Sequence, residues 1–83
     1  MVYYVYVLLC DDGSYYTGYT KNVKSRFRQH KKGAGARYTR MHKPEKIVHV
    51  EEVHTRKEAV CRERAIKSLT HERKRKLANP CDI

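Results

Sequence analysis

An arginine and a histidine, Arg26 and His30, stand four residues apart on a segment whose apolar residues Val23 and Phe27 repeat at helical spacing. On a helix, Arg26 and His30 would border the apolar stripe that faces the rest of the protein. An unpaired charge in such a position is costly, and a phosphate-like anion held there would explain both residues. The alternative is that both side chains extend from the edge of the stripe into water.

A carboxylate on a second predicted helix, Glu63, presents a similar choice. At helical spacing it falls between Ala59 and Ile66 on one side and Val60 on the other. Glu63 either forms an ion pair with Lys67 one turn later or binds a hard cation through oxygen. The sequence leaves both interpretations open.

Tyrosines are concentrated at the start of the chain, where the first twenty residues hold six of the seven. Tyrosine favours β-strands, so packing alone can account for most of them. Phenols close to Arg26 would also be able to orient water or bond phosphate oxygens. They would act as a base if a nearby cation lowered their pKa from about 10.

The register of the first hairpin decides whether Tyr6 and Tyr16 can share a site. A two-residue turn at residues 12–13 would place the two rings on opposite faces of the sheet. A three-residue loop with Gly13 in the left-handed conformation would pair Leu8 with Tyr16 and place both rings on one face. A site that uses both tyrosines requires the second register.

The elements that must position these residues follow from composition and capping signals. Runs rich in Tyr, Val, Leu and Thr predict strands over residues 3–10, 15–20 and 47–53. Helices are predicted from a cap at Asn22 to about Lys32, from a Thr55–Glu58 capping box onward, and from Thr70 to Leu77. Residues 33–45 are predicted to be a basic loop.

This order, β-β-α-β-α-α, predicts a small α+β sandwich in which helices flank a three-stranded antiparallel sheet. We expect one domain over residues 1–83, with a motif core at about 3–69 and a short helix and tail at 70–83. No stretch is long and apolar enough to predict a membrane span or an export signal. Three cysteines without a C-x-x-C pair indicate free thiols in the cytoplasm.

The charge is large and unevenly distributed. The 83 residues carry a net charge of +10, yet the first twenty contain no Lys or Arg. Residues 21–32 and 62–76 hold much of the excess. Such asymmetry favours a polyanion as partner, although a basic surface kept for solubility is the simpler alternative. Membrane binding is not favoured, because neither basic helix has a wide stripe of large apolar residues.

Four segments read in order along the chain resemble the motifs of a known family: Tyr4-Val5-Tyr6, Tyr16-Thr17-Gly18, Arg26-x-x-x-His30 and Glu63. The chain resembles the GIY-YIG nuclease family over nearly its whole length. It is most similar to the small stand-alone bacterial members, the group called UPF0213, in its Asp12-Gly13-Ser14 turn and its segment at 30–39. Two positions depart from the wider family, because Tyr4 replaces a Gly and Tyr19 stands where some members have Lys.

The resemblance implies a DNA endonuclease that hydrolyses phosphodiester bonds with one divalent cation, Mg²⁺ or Mn²⁺. Glu63 would hold the metal and Arg26 would bind the scissile phosphate. Tyr6 and Tyr16 would orient or deprotonate the attacking water, and His30 would support or share that step. Which of these three residues is the general base stays open.

Further residues are expected to contact the nucleic acid: Tyr19, Lys21, Lys24, Arg28, Lys31, Lys32, Arg37, Tyr38, Arg40 and Lys67. The expected substrate is DNA, with branched and single-stranded forms included and RNA left open. The sequence shows no separate DNA-reading domain, so we expect little sequence specificity and allow for a protein partner that directs targeting. The alternative function is a non-catalytic basic module that keeps the fold and binds nucleic acid.

Overall fold

The computed structural model describes residues 2–33 and 41–78. Its strands are β1 (Tyr3–Cys10), β2 (Tyr15–Thr20) and β3 (Pro44–Val53). Its helices are α1 (Val23–Lys31), α2 (Arg56–Lys67) and α3 (His71–Ala78). The three strands form one antiparallel sheet in the order β2-β1-β3, so the predicted α+β architecture is confirmed.

The β1–β2 hairpin adopts the register that places Tyr6 and Tyr16 on one face. Leu8 pairs with Tyr16, and Tyr6 pairs with Gly18. Gly13 takes a φ of 83°, the left-handed conformation that glycine adopts at little cost, and its N–H donates to the carbonyl of Cys10 at 3.0 Å. Of the two registers that the sequence left open, the structure therefore adopts the one that a site with both tyrosines requires.

Side-chain caps set the helix starts. The Asn22 carboxamide oxygen accepts a hydrogen bond from the backbone N–H of Ser25 at 3.0 Å, and Thr70 Oγ1 accepts one from that of Arg73 at 3.2 Å. Gly33, at φ 77°, follows the end of α1. At α2, Thr55 Oγ1 accepts from the N–H of Glu58.

The Thr55–Glu58 capping box differs from the prediction in one bond. The Glu58 carboxylate accepts a hydrogen bond from the Thr55 hydroxyl at 3.1 Å, whereas the prediction had it accept from a backbone N–H. One hydroxyl thus both donates and accepts, which still orders the first turn of the helix.

The third strand begins earlier than predicted, at Pro44 instead of Ile47. Pro44 pairs with Cys10 at the end of the ladder, where a residue without an N–H is tolerated. Register shifts between Val7 and Leu8 and between Leu9 and Cys10 accommodate the extra residues. Most of the predicted loop at 33–45 lies outside the described residues, and its last two positions belong to β3.

The helices pack on both faces of the sheet. Val5 and Val7 of β1 form a core cluster with Ala59 and Ile66 of α2, and Leu77 of α3 packs against it. Alternation along the strand turns Tyr6 and Leu8 to the opposite face, which α1 covers. The two faces therefore differ: one packs an apolar core, with Tyr3, Tyr15 and Tyr19 against it, and the other carries Tyr6 and Tyr16.

Two contacts attach the far end of the hairpin to later parts of the chain. The Asp12 carboxylate accepts hydrogen bonds from Ser14 and bonds His42 Nδ1, and these bonds, those from Ser14 first, hold the pKa of Asp12 well below its usual range. The Nε2–H of His71 donates to the Gly13 carbonyl at 3.0 Å, and its ring lies 5.1 Å from that of Tyr15. The turn is thus held from two sides.

Candidate active site

A cleft of about 450 Å³ collects side chains from both strands of the hairpin and from two helices. It is lined by Tyr6, Tyr16, Gly18, Tyr19, Thr20, Arg26, Gln29 and Glu63. Tyr6 belongs to β1, Arg26 to α1 and Glu63 to α2. Residues that are far apart in the sequence therefore converge on one surface feature.

The floor of the cleft depends on a glycine. A Cβ at Gly18 would lie 2.6 Å from the Tyr6 hydroxyl oxygen and 2.9 Å from Tyr6 Cζ. The Tyr6 and Tyr16 ring centroids are 6.4 Å apart. A glycine inside a strand often marks a close approach of this kind, and here it lets the Tyr6 ring lie flat across β2.

His30 lies behind the tyrosines and does not line the cleft. Its side chain is fully buried, and Nε2 shares a 2.9 Å hydrogen bond with the Tyr6 hydroxyl. Its ring centroid is 5.1 Å from that of Tyr16. The interpretation in which His30 extends into water is therefore wrong, because the ring is enclosed by the two tyrosines.

Burial favours the neutral forms of the His30 imidazole and of the Tyr6 and Tyr16 phenols. Burial lowers the pKa of His30, and the nearby Arg26 charge lowers it further. Burial and the neighbouring Tyr16 raise the pKa of Tyr6 to about 12, although Arg26 opposes this. The pKa of Tyr16 is also raised, again mainly by burial. A lowered tyrosine pKa is thus not found, since desolvation outweighs the cationic neighbour.

Arg26 is partly exposed at the edge of the cleft. Its Nη1 donates to the Gln29 side-chain oxygen at 2.9 Å. Because the Gln29 amide is uncharged, this hydrogen bond holds the Arg26 guanidinium in place without neutralising its positive charge. The arrangement leaves a positive group facing the cleft.

Glu63 forms the predicted ion pair with Lys67 and also lines the cleft, while cation binding at this carboxylate stays a prediction. Its Oε1 lies 3.3 Å from Lys67 Nζ, and its side chain also lines the cleft with 18% of its surface exposed. Among the lining residues of the described chain it is the one carboxylate. An acidic group therefore faces Arg26 and the two phenols across the cleft.

Comparison with known proteins identifies the family to which this arrangement belongs. The sequence profile of the GIY-YIG catalytic domain matches residues 2–76. The chain belongs to the GIY-YIG family. A UPF0213 protein of Haloquadratum walsbyi is 50% identical over 76 residues, which are 92% of this chain and 85% of the relative. A UPF0213 protein of Staphylococcus aureus is 43% identical over 75 residues, 90% and 92% of the two chains.

Two solved structures share the fold. The solution structure of the UPF0213 protein BH0048 from Bacillus halodurans has a TM-score of 0.58 at 42% identity and covers 93% of this chain and 82% of its own. That of EF2693 from E. faecalis has a TM-score of 0.61 at 43% identity, covering 89% and 79%. The resemblance to the UPF0213 group of the GIY-YIG family is confirmed.

The donor atoms in the cleft of this GIY-YIG domain determine whether a divalent cation fits there. No three His, Cys, Asp or Glu side chains come together within residues 2–33 and 41–78, so a cage built from protein ligands is not found there. One carboxylate beside phenolic oxygens suits Mg²⁺, which retains waters and takes further oxygens from a substrate phosphate. The residues present fit a hydrated Mg²⁺ or Mn²⁺ at Glu63.

The predicted nucleic-acid contacts fall into three groups. Tyr19 lines the cleft, and Lys67 borders it through Glu63. Lys21 and Lys24 line a separate groove with Tyr4. Exposed basic side chains on and just after α1 complete the surface: Arg28, Lys31 and Lys32. Three predicted contacts lie outside the described residues: Arg37, Tyr38 and Arg40.

Sequence reasoning missed Gln29, Thr20 and Gly18 as cleft residues. Gln29 lies three residues after Arg26, a helical spacing at which side chains meet, and this was an available signal. Gly18 was visible as a glycine inside a strand.

Within residues 2–33 and 41–78, no helix has the length and apolar character needed to cross a membrane. Cys10 and Cys61 carry free thiols, as predicted, and Cys81 lies outside the described residues.

Proposed function

We propose that this chain is a metal-dependent DNA endonuclease that hydrolyses phosphodiester bonds with little sequence preference. The observation that carries the proposal is the convergence of Glu63, Arg26 and two tyrosines on one cleft. A cation ligand, an anion ligand and groups able to orient water are the parts that phosphate-ester hydrolysis requires. Membership of the GIY-YIG family supports nuclease activity in general.

Arg26 binds the scissile phosphate in this proposal. Its guanidinium can meet two phosphate oxygens with parallel hydrogen bonds. Negative charge increases on these oxygens as water attacks phosphorus, so the interaction strengthens towards the transition state. Gln29 positions the guanidinium through its 2.9 Å hydrogen bond.

In this proposal, Tyr6 and His30 together accept the proton that the attacking water loses. A tyrosinate is not available near neutral pH, because the pKa of Tyr6 is raised to about 12. Neutral His30 bonds the Tyr6 hydroxyl at 2.9 Å. The phenol can therefore accept the proton of water while it passes its own proton to His30 Nε2. Tyr16 orients the same water from the other side.

Glu63 would hold the divalent cation, which would supply stabilisation of charge on the leaving oxygen. The new bond joins the water oxygen to phosphorus, the bond from phosphorus to the leaving oxygen breaks, and that oxygen takes a proton from solvent to become the alcohol. The basic side chains around the cleft hold the DNA backbone. Contacts to phosphate carry no base information, which is why we propose little sequence preference.

The experiment is a cleavage assay with Mg²⁺ or Mn²⁺ over duplex, flap, single-stranded and RNA substrates. Glu63→Gln and Arg26→Ala should each reduce cleavage by at least about 100-fold, the scale seen when one group that stabilises the transition state is removed. DNA binding should change much less. The matched controls are Glu52→Gln and Arg73→Ala, which remove the same charges at exposed positions away from the cleft.

A second candidate function is a nucleic-acid-binding module without catalysis. The Glu63–Lys67 ion pair favours it, because the carboxylate already has a cationic partner. This function would be supported if no metal and no substrate gave cleavage while binding persisted. Cleavage that survives in pure Glu63→Gln protein would contradict the endonuclease proposal in its metal-dependent form.

A further inference from the structure

The carboxylate proposed to hold the metal already has a cation beside it. Lys67 Nζ lies 3.3 Å from Glu63 Oε1, one helical turn further along α2. Glu63 has 18% of its side-chain surface exposed and Lys67 has 51%. The carboxylate is thus fixed in a sheltered position, whereas the ammonium group reaches it from the solvent side on a flexible stem.

The charge of Lys67 also acts on the interior of the cleft. The positive charges of Lys67 and Arg26 both act on Tyr16, and each opposes the rise that burial causes in the pKa of Tyr16. Lys67 therefore lies close to the same space that Glu63, Tyr16 and Arg26 surround. The Lys67 ammonium group thus lies next to the Glu63 carboxylate, in the space that a metal cation bound to that carboxylate would need.

We propose that Lys67 is a placeholder cation, which pairs with Glu63 until a divalent ion replaces it. The inference rests on the proposed function, because it takes Glu63 as the metal ligand. A sheltered carboxylate is costly without a partner, and Lys67 supplies one from the adjacent helical turn. A divalent ion at Glu63 would repel the ammonium group, so Lys67 must move away.

Lys67 therefore lowers the affinity of the free protein for metal. Two contributions act in the same direction: the ion pair must break, and the nearby positive charge repels the incoming cation. Half of the Lys67 side chain is already exposed, so its ammonium group can turn away from Glu63 into solvent. Once released, its charge is free for a substrate phosphate next to the cleft.

The test measures Mn²⁺ binding to the DNA-free protein by electron paramagnetic resonance of the free ion, so it needs no activity. Lys67→Met should bind Mn²⁺ more tightly by at least about twofold, the fold-change that corresponds to an exposed i,i+4 ion pair. Lys67→Arg keeps the charge and should retain the wild-type affinity. Lys57→Met is the matched control, since it removes the same charge from an exposed position of the same helix.

The outcomes separate this inference from the function on which it rests. Unchanged or weaker Mn²⁺ binding in Lys67→Met, or an equal gain in Lys57→Met, overturns the placeholder role. Glu63→Gln should abolish binding in every background, and its failure to do so overturns the metal site itself. Absence of Mn²⁺ binding in both wild type and Lys67→Met overturns both. Binding by Lys67→Met alone supports the inference.

Discussion

The Tyr6 hydroxyl and His30 Nε2 form a buried hydrogen bond of 2.9 Å that joins the central strand to the first helix. Both side chains are almost completely enclosed, Tyr6 at 2% exposed and His30 at 0%. The same pair therefore belongs to the core of the protein and to the rear wall of the cleft. Stability and catalysis should both respond when it is changed.

His30→Ala should lower the free energy of unfolding by about 2–4 kcal/mol, because it leaves a cavity and removes the partner of a buried hydroxyl. Equilibrium unfolding in urea measures the change. His54→Ala, at an exposed position, should stay within about 0.5 kcal/mol of wild type. Equal effects of the two substitutions would contradict the packing described for His30.

The stability of the protein should fall as the pH drops below about 6.5. The unfolded chain has a histidine with the ordinary pKa of 6.5, whereas burial and Arg26 lower the pKa of His30 in the fold. The unfolded state thus binds the proton more readily below that pH, and acid favours unfolding. The contribution of His30 to the free energy of unfolding is fully present above about pH 6.5 and is lost as the pH falls through the lowered pKa of His30.

Urea midpoints recorded between pH 8 and pH 5 test this dependence. His30→Gln, which cannot be protonated, should show a flatter profile over the same range. The lowered pKa values of Asp12 and Glu51 act at more acidic pH, so their contributions are separable. A His30→Gln profile as steep as that of wild type would show that another group governs the range.

Gly18→Ala should damage the cleft and Gly13→Ala should not. A Cβ at Gly18 meets the Tyr6 ring at 2.6–2.9 Å, so the ring must leave its hydrogen bond with His30. We expect a loss of about 1–3 kcal/mol in stability, typical of overpacking, together with a loss of DNA cleavage.

Gly13 provides the contrast, because a Cβ there meets nothing within 4 Å and only the φ of 83° is strained. Gly13→Ala should cost about 1–2 kcal/mol through the backbone alone and leave the cleavage rate of the folded protein unchanged. Urea unfolding and the cleavage assay give the two readouts. Normal cleavage by Gly18→Ala would mean that the position of the Tyr6 ring is unimportant for the reaction.

Lys24→Gln should reduce the salt dependence of DNA binding. The slope of log K against log salt is negative, and the loss of one phosphate contact makes it less steep by about 0.9. Fluorescence anisotropy over a series of salt concentrations gives the slope. Lys46→Gln removes the same charge from an exposed position on β3 and should leave the slope unaltered. A reduction in both variants would indicate a diffuse effect of net charge instead of a contact.

The hairpin and the helix starts were predictable, because local signals govern them. The Asp-Asp-Gly turn left two registers open, and the structure adopts the one that places Tyr6 and Tyr16 on one face. Capping residues likewise marked the helix starts. The resemblance to GIY-YIG proteins then supplied the pairing of these tyrosines with Arg26 and Glu63, which no local pattern contains.

Other features depended on burial or on distant partners and were not predictable. The rise in the tyrosine pKa values follows from desolvation, which the sequence does not reveal. The start of β3 at Pro44 depends on its pairing with Cys10, and a proline normally argues against a strand. The bond between Asp12 and His42 joins residues 30 positions apart, beyond the reach of any local signal.

The cleft extends around an edge of the sheet. β2 is an outer strand; Tyr16 and Gly18 lie on one of its faces, and Glu63 arrives from the helix that covers the other. Under the proposed function, a nucleic acid in the cleft would lie beside this outer strand, so a protein that added a strand to β2 would compete with it for the same edge.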